Sequence, residues 1–418
     1  MGNNKKVNIK SEIGKLEAVI LHKPGKEVEN MTPENAERAL YSDILNLDVA
    51  QKEYEQFAGV LNKVAHTYEV KDLLSEILKS DTVRKEVLDN IFANEYMYKE
   101  NKFLYSLTNG ELATQLIEGV KMKKDNLTKY LSDERYSLRP LHNFFFTRDA
   151  SISVLDKVLI GKMANKVRDR EALIMDSIFK YHKDFGVETV NPINCKECES
   201  PYTIEGGDIL VAREDILLIG VGGRTSSQGV DFIINCFKEK KKSRHLIIQE
   251  LPLSPESFIH LDMVFTLLDN DKCMVYEPLI MQQNRYQTVH ITIDNGIVKS
   301  IKTENNLIDS LKKLGMDLKP IFCGGNKDLW IQEREQWHSG ANFFAFAPGK
   351  VIGYGRNVHT IEEMSKNGFD VLKAQDVVSG KLNPNDYKSC VVTIDGAELP
   401  RGGGGARCMT MPVRRVDL

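Results

Sequence analysis

The sequence predicts a mixed α/β protein interrupted by an all-helical segment. Three observations carry that prediction. After Pro140, short runs of β-branched and aliphatic residues alternate with helical stretches. Between about Lys71 and Tyr136 the apolar residues recur at helical intervals and proline is absent. Near the start, one strand-and-turn signal stands alone.

That signal is Leu16-Glu17-Ala18-Val19-Ile20-Leu21-His22, closed by Lys23-Pro24-Gly25. A helical stretch from about Pro33 to Val64 follows, carrying Leu40, Ile44, Leu47, Phe57 and Leu61. Leu73, Leu74, Ile77 and Leu78 then recur at helical spacing, as do Val87, Leu88, Ile91 and Phe92, and later Leu112, Leu116 and Ile117. We read residues 71–136 as a small inserted helical bundle, with 1–70 and 137–418 forming the catalytic α/β part. In that second part, Ile209-Leu210-Val211, Ile216 to Ile219 and Lys350 to Tyr354 read as strands. Arg170 to Tyr181 and Gly229 to Lys240 read as helices. Two similar turns, Glu205-Gly206-Gly207-Asp208 and Cys323-Gly324-Gly325-Asn326-Lys327-Asp328, suggest an internally repeated α/β unit.

Composition narrows the function classes. Lys plus Arg is 56 and Asp plus Glu is 59, so the net charge is −3. That balance gives no support for a nucleic acid or an anionic membrane as partner. The basic run Lys238 to Arg244 reads as a solvated helix end. No stretch approaches the ~20 apolar residues of a membrane span. The first residues lack an apolar signal core, and Lys6 stands where a myristoylation signal has Ser or Thr. A cytoplasmic location is expected. Seven cysteines at scattered spacing read as reduced thiols.

Cys408 directly follows Gly402-Gly403-Gly404-Gly405-Ala406-Arg407. Four glycines in a row cost backbone entropy, which a close ligand approach justifies. A thiol beside such a loop is a candidate nucleophile. His260, in Phe258-Ile259-His260-Leu261-Asp262, is the candidate proton donor. In an extended strand His260 and Asp262 would share one face. Asp149 and Glu205 lie next to apolar runs, where a buried carboxylate needs a partner. His-x-Asp is also a partial metal pattern, but no third ligand has compatible spacing. Cys195-Lys196-Glu197-Cys198 has no second pair and reads as a loop. No metal and no cofactor is expected. Three acids, a histidine and a cysteine together fit a planar cation, because a guanidinium matches two bidentate carboxylates.

The chain resembles arginine deiminase over nearly its whole length. The motifs are Asn143-Phe144-Phe145-Phe146-Thr147-Arg148-Asp149, Arg168-Asp169-Arg170-Glu171, Glu205-Gly206-Gly207-Asp208, His260-Leu261-Asp262, Arg334-Glu335-Gln336-Trp337 and Ala406-Arg407-Cys408-Met409. The resemblance implies a five-bladed, pseudo-fivefold α/β propeller with an inserted helical bundle. It implies that Cys408 attacks the guanidinium carbon of free L-arginine. His260 would then move the proton, Asp149 and Asp262 would grip the nitrogens, and Glu205 would hold the histidine. Arg168 and Arg224 match positions for the substrate carboxylate, and Asn143, Phe146, Leu40 and Gly403 match further substrate contacts. A homodimer or higher homo-oligomer and a place in arginine catabolism are also implied. Gly403 replaces an arginine that gates the site in some members, and Ser42 stands at an altered position in Tyr41-Ser42-Asp43. An agmatine deiminase, an amidinotransferase or a non-catalytic arginine-binding protein are the alternatives.

Overall fold

The computed structural model describes residues 6–32, 41–95, 102–194, 202–239 and 242–418. Its sheets repeat one local plan. Strand Ser151–Val154 turns tightly into its antiparallel neighbour Lys157–Ile160, the chain crosses through helix Asp169–Tyr181, and Thr189–Val190 adds in parallel. An antiparallel pair needs only a tight turn, whereas a parallel one needs a crossover. The same order recurs in Ile209–Arg213, Ile216–Val221, helix Ser227–Lys238 and Arg244–Glu250. Hairpin Thr288–Asp294 and Ile297–Glu304 widens that sheet to five strands. Phe265–Asp269, Lys272–Val275 and Lys319–Phe322 make a third sheet. Phe344–Ala347, Lys350–Tyr354, Cys390–Ile394 and Asp370–Lys373 make a fourth.

The fifth sheet uses both ends of the described chain. Strand Met411–Arg415 runs antiparallel to Leu16–Leu21, which pairs in parallel with His66–Glu69 after helix Leu47–Val64. Strand Leu16–Leu21 is buried at all but one position, as a strand covered on both faces must be.

Several sequence expectations shift at their boundaries. Ser226 accepts a hydrogen bond from the Gly229 N–H, so the helix expected from Gly229 starts at Ser227. Residues 33–40 of the helix expected over Pro33 to Val64 lie outside the described residues, and Asn46 caps the part that follows. The two glycine-rich turns are not equivalent. Gly206–Asp208 leads into a strand, whereas the turn at Gly324 leaves strand Lys319–Phe322 and leads into helix Leu329–Trp337.

Within 71–136 the structure has helices Asp81–Asn94, Lys102–Ser106, Asn109–Glu118 and Leu127–Leu131, with Val70–Ile77 at the margin. The segment is not purely helical, because Val120–Lys121 pairs with Tyr136–Leu138. Nor does it keep a core to itself. Leu74, Leu88, Phe92 and Leu116 share one apolar cluster with Ile20, Ile160, Phe179 and Met411. Each such side chain contributes about 1.5–3 kcal/mol on burial, so both partners depend on the contact. Among the described residues no helix is long and apolar enough to cross a membrane.

Candidate active site

Five short turns lead into the first strands of the five larger sheets, and they converge. Thr147–Ala150 carries Asp149, and Glu205 precedes Gly206–Asp208. His260 precedes the turn Leu261–Met263, which carries Asp262. Asn342 precedes Phe344–Ala347, and Cys408 precedes Met411–Arg415. Turn residues lie outside the ladders, so their side chains are free to aim at a common centre. The strand geometry expected for His260 and Asp262 is therefore corrected. A tight 3-10 turn, held by the Leu261 N–H on Asp208 Oδ1 at 3.0 Å, brings both inward.

Glycines make the close approaches. A Cβ on Gly207 would lie 2.4 Å from His260 Nδ1, so the imidazole packs directly on backbone. Gly403 adopts φ +85°, in the left-handed region that favours glycine.

One cavity is lined by Cys408, His260, Asp149, Asn143, Phe146, Arg168, Arg224 and Gly403. Glu205 and Asp262 are fully buried beside it. Leu40, Cys195 and Cys198 lie outside the described residues. Cys408 Sγ is 3.7 and 3.9 Å from the two Asp262 oxygens. His260 Nε2 is 2.9 Å from Glu205 Oε2, and its Nδ1 is 3.7 Å from Asp149 Oδ1. Ser42 Oγ donates to the Arg401 carbonyl at 2.7 Å, fastening its loop to the chain just before the glycine run.

Burial and charge compete at each group. Burial opposes the charged form of His260, but Asp149, Glu205 and Asp208 hold its pKa up at about 9. Burial also opposes the charge on Glu205, but the His260 hydrogen bond, with Arg224 and Arg168 nearby, holds it down at about 2. The two agree on an imidazolium–carboxylate pair at neutral pH. Burial, with Asp262 and Asp149, pushes the Cys408 thiol well above its usual value.

Arg168 is itself a guanidinium on a carboxylate. Its Nη1 bonds Asp149 Oδ2 at 2.8 Å, its Nε and Nη2 chelate Glu171, and Nη1 is 3.9 Å from Glu205. Asp149, Glu205 and His260 bring possible ligand atoms within 4.8 Å of one another. A metal ligand must be deprotonated, and a protonated His260 beside an organic cation is not such a set.

Three residues at the site, Arg407, Glu12 and Asn342, were given no role by the sequence reading. Arg407 is buried and bridges Asp262 Oδ2 at 2.8 Å to both oxygens of Glu12 at 3.0 and 3.1 Å. The charges of Arg407 and Arg148 outweigh burial and hold Glu12 down at about 2. Glu12 gives no sequence signal, being one acid in Lys10-Ser11-Glu12-Ile13. Asn342 lies 3.3 Å from Cys408 Sγ. Its position just before an apolar strand, like that of Asp149, is the signal that could have found it.

An arginine deiminase family model matches residues 37–415. The arginine deiminase of Bacillus cereus (strain B4264) is 34% identical over 431 aligned positions, covering 99% of both chains. That of Staphylococcus aureus (strain MRSA252) is 32% identical over 429, again covering 99% of each. Among solved structures, an amidinotransferase from Microseira wollei has a TM-score of 0.55 at 14% identity, covering 99% of this chain and 98% of its own. The product-bound N-terminal domain of a cyanobacterial arginine dihydrolase has a TM-score of 0.53 at 13% identity, covering 95% and 97%. The structural likenesses establish a shared α/β fold. Sequence similarity along the whole chain goes further: this chain belongs to the arginine deiminase family.

Proposed function

We propose that the chain hydrolyses free L-arginine to L-citrulline and ammonia through a covalent intermediate on Cys408. The carrying observation is a buried thiol and a carboxylate-held imidazole facing one small cavity beside Asp149 and Asp262. In the first step the sulfur bonds to the guanidinium carbon and the C–N bond breaks; the thiol proton and the His260 proton both pass to the departing nitrogen, which leaves as ammonium. In the second step His260 takes one proton from water, the oxygen bonds to carbon, the C–S bond breaks, and the proton left on that oxygen passes to the departing sulfur. Asp149 and Asp262 fix the planar cation, which supplies the positive charge that favours the thiolate. Glu205 keeps the imidazole charged and oriented.

Arg168 holds Asp149 at 2.8 Å, so a substrate guanidinium must displace it. Its Nη1, released, would meet the substrate carboxylate together with Arg224, while Nε and Nη2 stay on Glu171. Asn143 would hydrogen-bond the substrate, Phe146 would pack on its aliphatic stem, the Leu40 backbone would face its amino end, and Gly403 supplies no gating side chain. Four sheets built as hairpin, crossover and parallel strand, and a fifth with the same strand pairing made from the two ends of the described chain, support a five-bladed propeller, with 71–136 as its insertion between 1–70 and 137–418. A homo-oligomer in the cytoplasm, acting at the first step of arginine breakdown, completes the proposal.

Parallel assays of citrulline and ammonia on arginine, agmatine and a peptidyl-arginine test the substrate. Turnover of free arginine alone is expected, because the two arginines need a free carboxylate to bind. Equal turnover of agmatine, or guanidinoacetate formed from arginine plus glycine, overturns it.

The pH dependence follows from His260. The first step needs the imidazolium, which persists up to about pH 9. The rate is expected to decline as pH rises through that value, and a kcat/KM profile between about pH 5 and 10 checks it. A profile that keeps climbing through about pH 9 contradicts the assignment.

A further inference from the structure

Asn342 stands at the same point of its sheet as Asp149, Glu205, Asp262 and Cys408 do of theirs. It is 1% exposed. Its partners fix which way the amide points. Oδ1 accepts the backbone N–H of Arg407 at 2.8 Å and that of Cys408 at 3.3 Å, which only the oxygen can do. Nδ2 therefore faces the opposite way. It donates to the Asp262 carbonyl at 3.0 Å and lies 3.3 Å from Cys408 Sγ and 3.6 Å from Met263 Sδ. The carbonyl takes one amide proton and leaves one for sulfur. A thiolate accepts it better than a thioether, because a charged acceptor makes the stronger bond. A Cβ on Gly405 would lie 2.6 Å from Asn342 Oδ1, so one glycine of the run makes room for this amide.

Resting on the reading of Cys408 as nucleophile, we propose that Asn342 is a further catalytic residue: its Nδ2–H donates to the Cys408 sulfur and stabilises the thiolate, while its Oδ1 fixes the backbone that carries it. The charged surroundings make such a donor useful. Asp262 stands at 3.7 Å from the sulfur and Asp149 lines the same cavity; both disfavour a second negative charge. Arg407 counters them from behind, through the Asp262 oxygen it binds. His260 lines the cavity as a cation, and the Tyr354 hydroxyl is engaged by the Gly404 carbonyl at 3.0 Å. Asn342 touches the sulfur, does not titrate, and carries no charge to compete with the substrate cation.

The test compares Asn342→Ala and the nearly isosteric Asn342→Asp with the parent and with Cys408→Ala. Iodoacetamide labelling at residue 408, mapped by mass spectrometry against pH, reads the thiolate. For Asn342→Ala, labelling at neutral pH is expected to slow about tenfold or more, because each tenfold loss of thiolate moves the titration up by one pH unit. kcat falls while KM changes little. Asn342→Asp replaces the donor by a carboxylate and is expected to be slower still. Melting curves confirm that each variant is folded; if the alanine variant is not, the aspartate variant supplies the same readout. Labelling with the parent's pH dependence in a folded variant overturns the role and leaves a structural amide. Citrulline formed by Cys408→Ala overturns the nucleophile reading instead, whatever the Asn342 variants do.

Discussion

Cys408→Ala is expected to lower citrulline formation by at least about 10⁴-fold, with arginine binding retained. The magnitude reflects what the thiol supplies. Without it, water must attack a resonance-stabilised cation directly, and the remaining groups contribute only positioning and charge. The substitution removes one sulfur from a 2%-exposed position and no charged partner, so the fold should survive. Asp149 and Asp262, the groups assigned to the cation, would remain, with Glu205 and His260 beside them. Isothermal titration with arginine and a discontinuous citrulline assay separate the two effects. Binding kept and turnover lost is the expected pair; turnover within tenfold of the parent rejects covalent chemistry at residue 408.

Arg407→Met carries the second large effect, on stability. Arg407 is 1% exposed and neutralises two buried carboxylates, Glu12 and Asp262. Removing one partner of a buried ion pair costs about 3–5 kcal/mol, because the charge left behind has neither water nor counter-ion. The pH dependence has a definite sign. In the parent, Glu12 is held down at about 2, so its contribution is present above the unfolded carboxylate value of about 4.3 and is lost as pH falls towards 2. In the variant the orphaned carboxylates gain by protonating. The deficit in melting temperature should therefore be largest near neutrality and shrink towards pH 4. A constant deficit would show that lost packing, rather than lost charge pairing, governs the site.

The residues gathered at the cavity were legible because they sit in short, compositionally odd turns. Glu205-Gly206-Gly207-Asp208 and the glycine run before Cys408 stand out from apolar surroundings, and their order along the chain resembles one family. The strands and helices after Pro140 were legible from periodicity, to within a few residues at their ends. What failed was anything that depends on long-range pairing. His260 and Asp262 were placed on a strand face, yet a hydrogen bond from Leu261 to Asp208 makes a turn there. Glu12 lies near the start of the sequence, and its partner Arg407 is 395 positions away. Asn342 carries no charge and has common neighbours, so only the recurrence of a turn before each first strand singles it out. The apolar periodicity within 71–136 matches helices such as Asp81–Asn94 and Asn109–Glu118, but periodicity could not reveal the strand pair there or that the apolar faces are shared with Ile20 and Met411.

The sheet that joins Leu16–Leu21 to Met411–Arg415 governs when the molecule acquires its reactivity. Asn8 and Arg415, 407 positions apart, are tied by a hydrogen bond, so this pairing closes a loop spanning almost the whole polypeptide. Loops of that length close at high entropic cost and late relative to local hairpins. Arg407 and Cys408 lie in the turn just before Met411–Arg415, so the counter-ion of Asp262 and the sulfur come into place together with this pairing. The pocket is complete only where this pairing has formed.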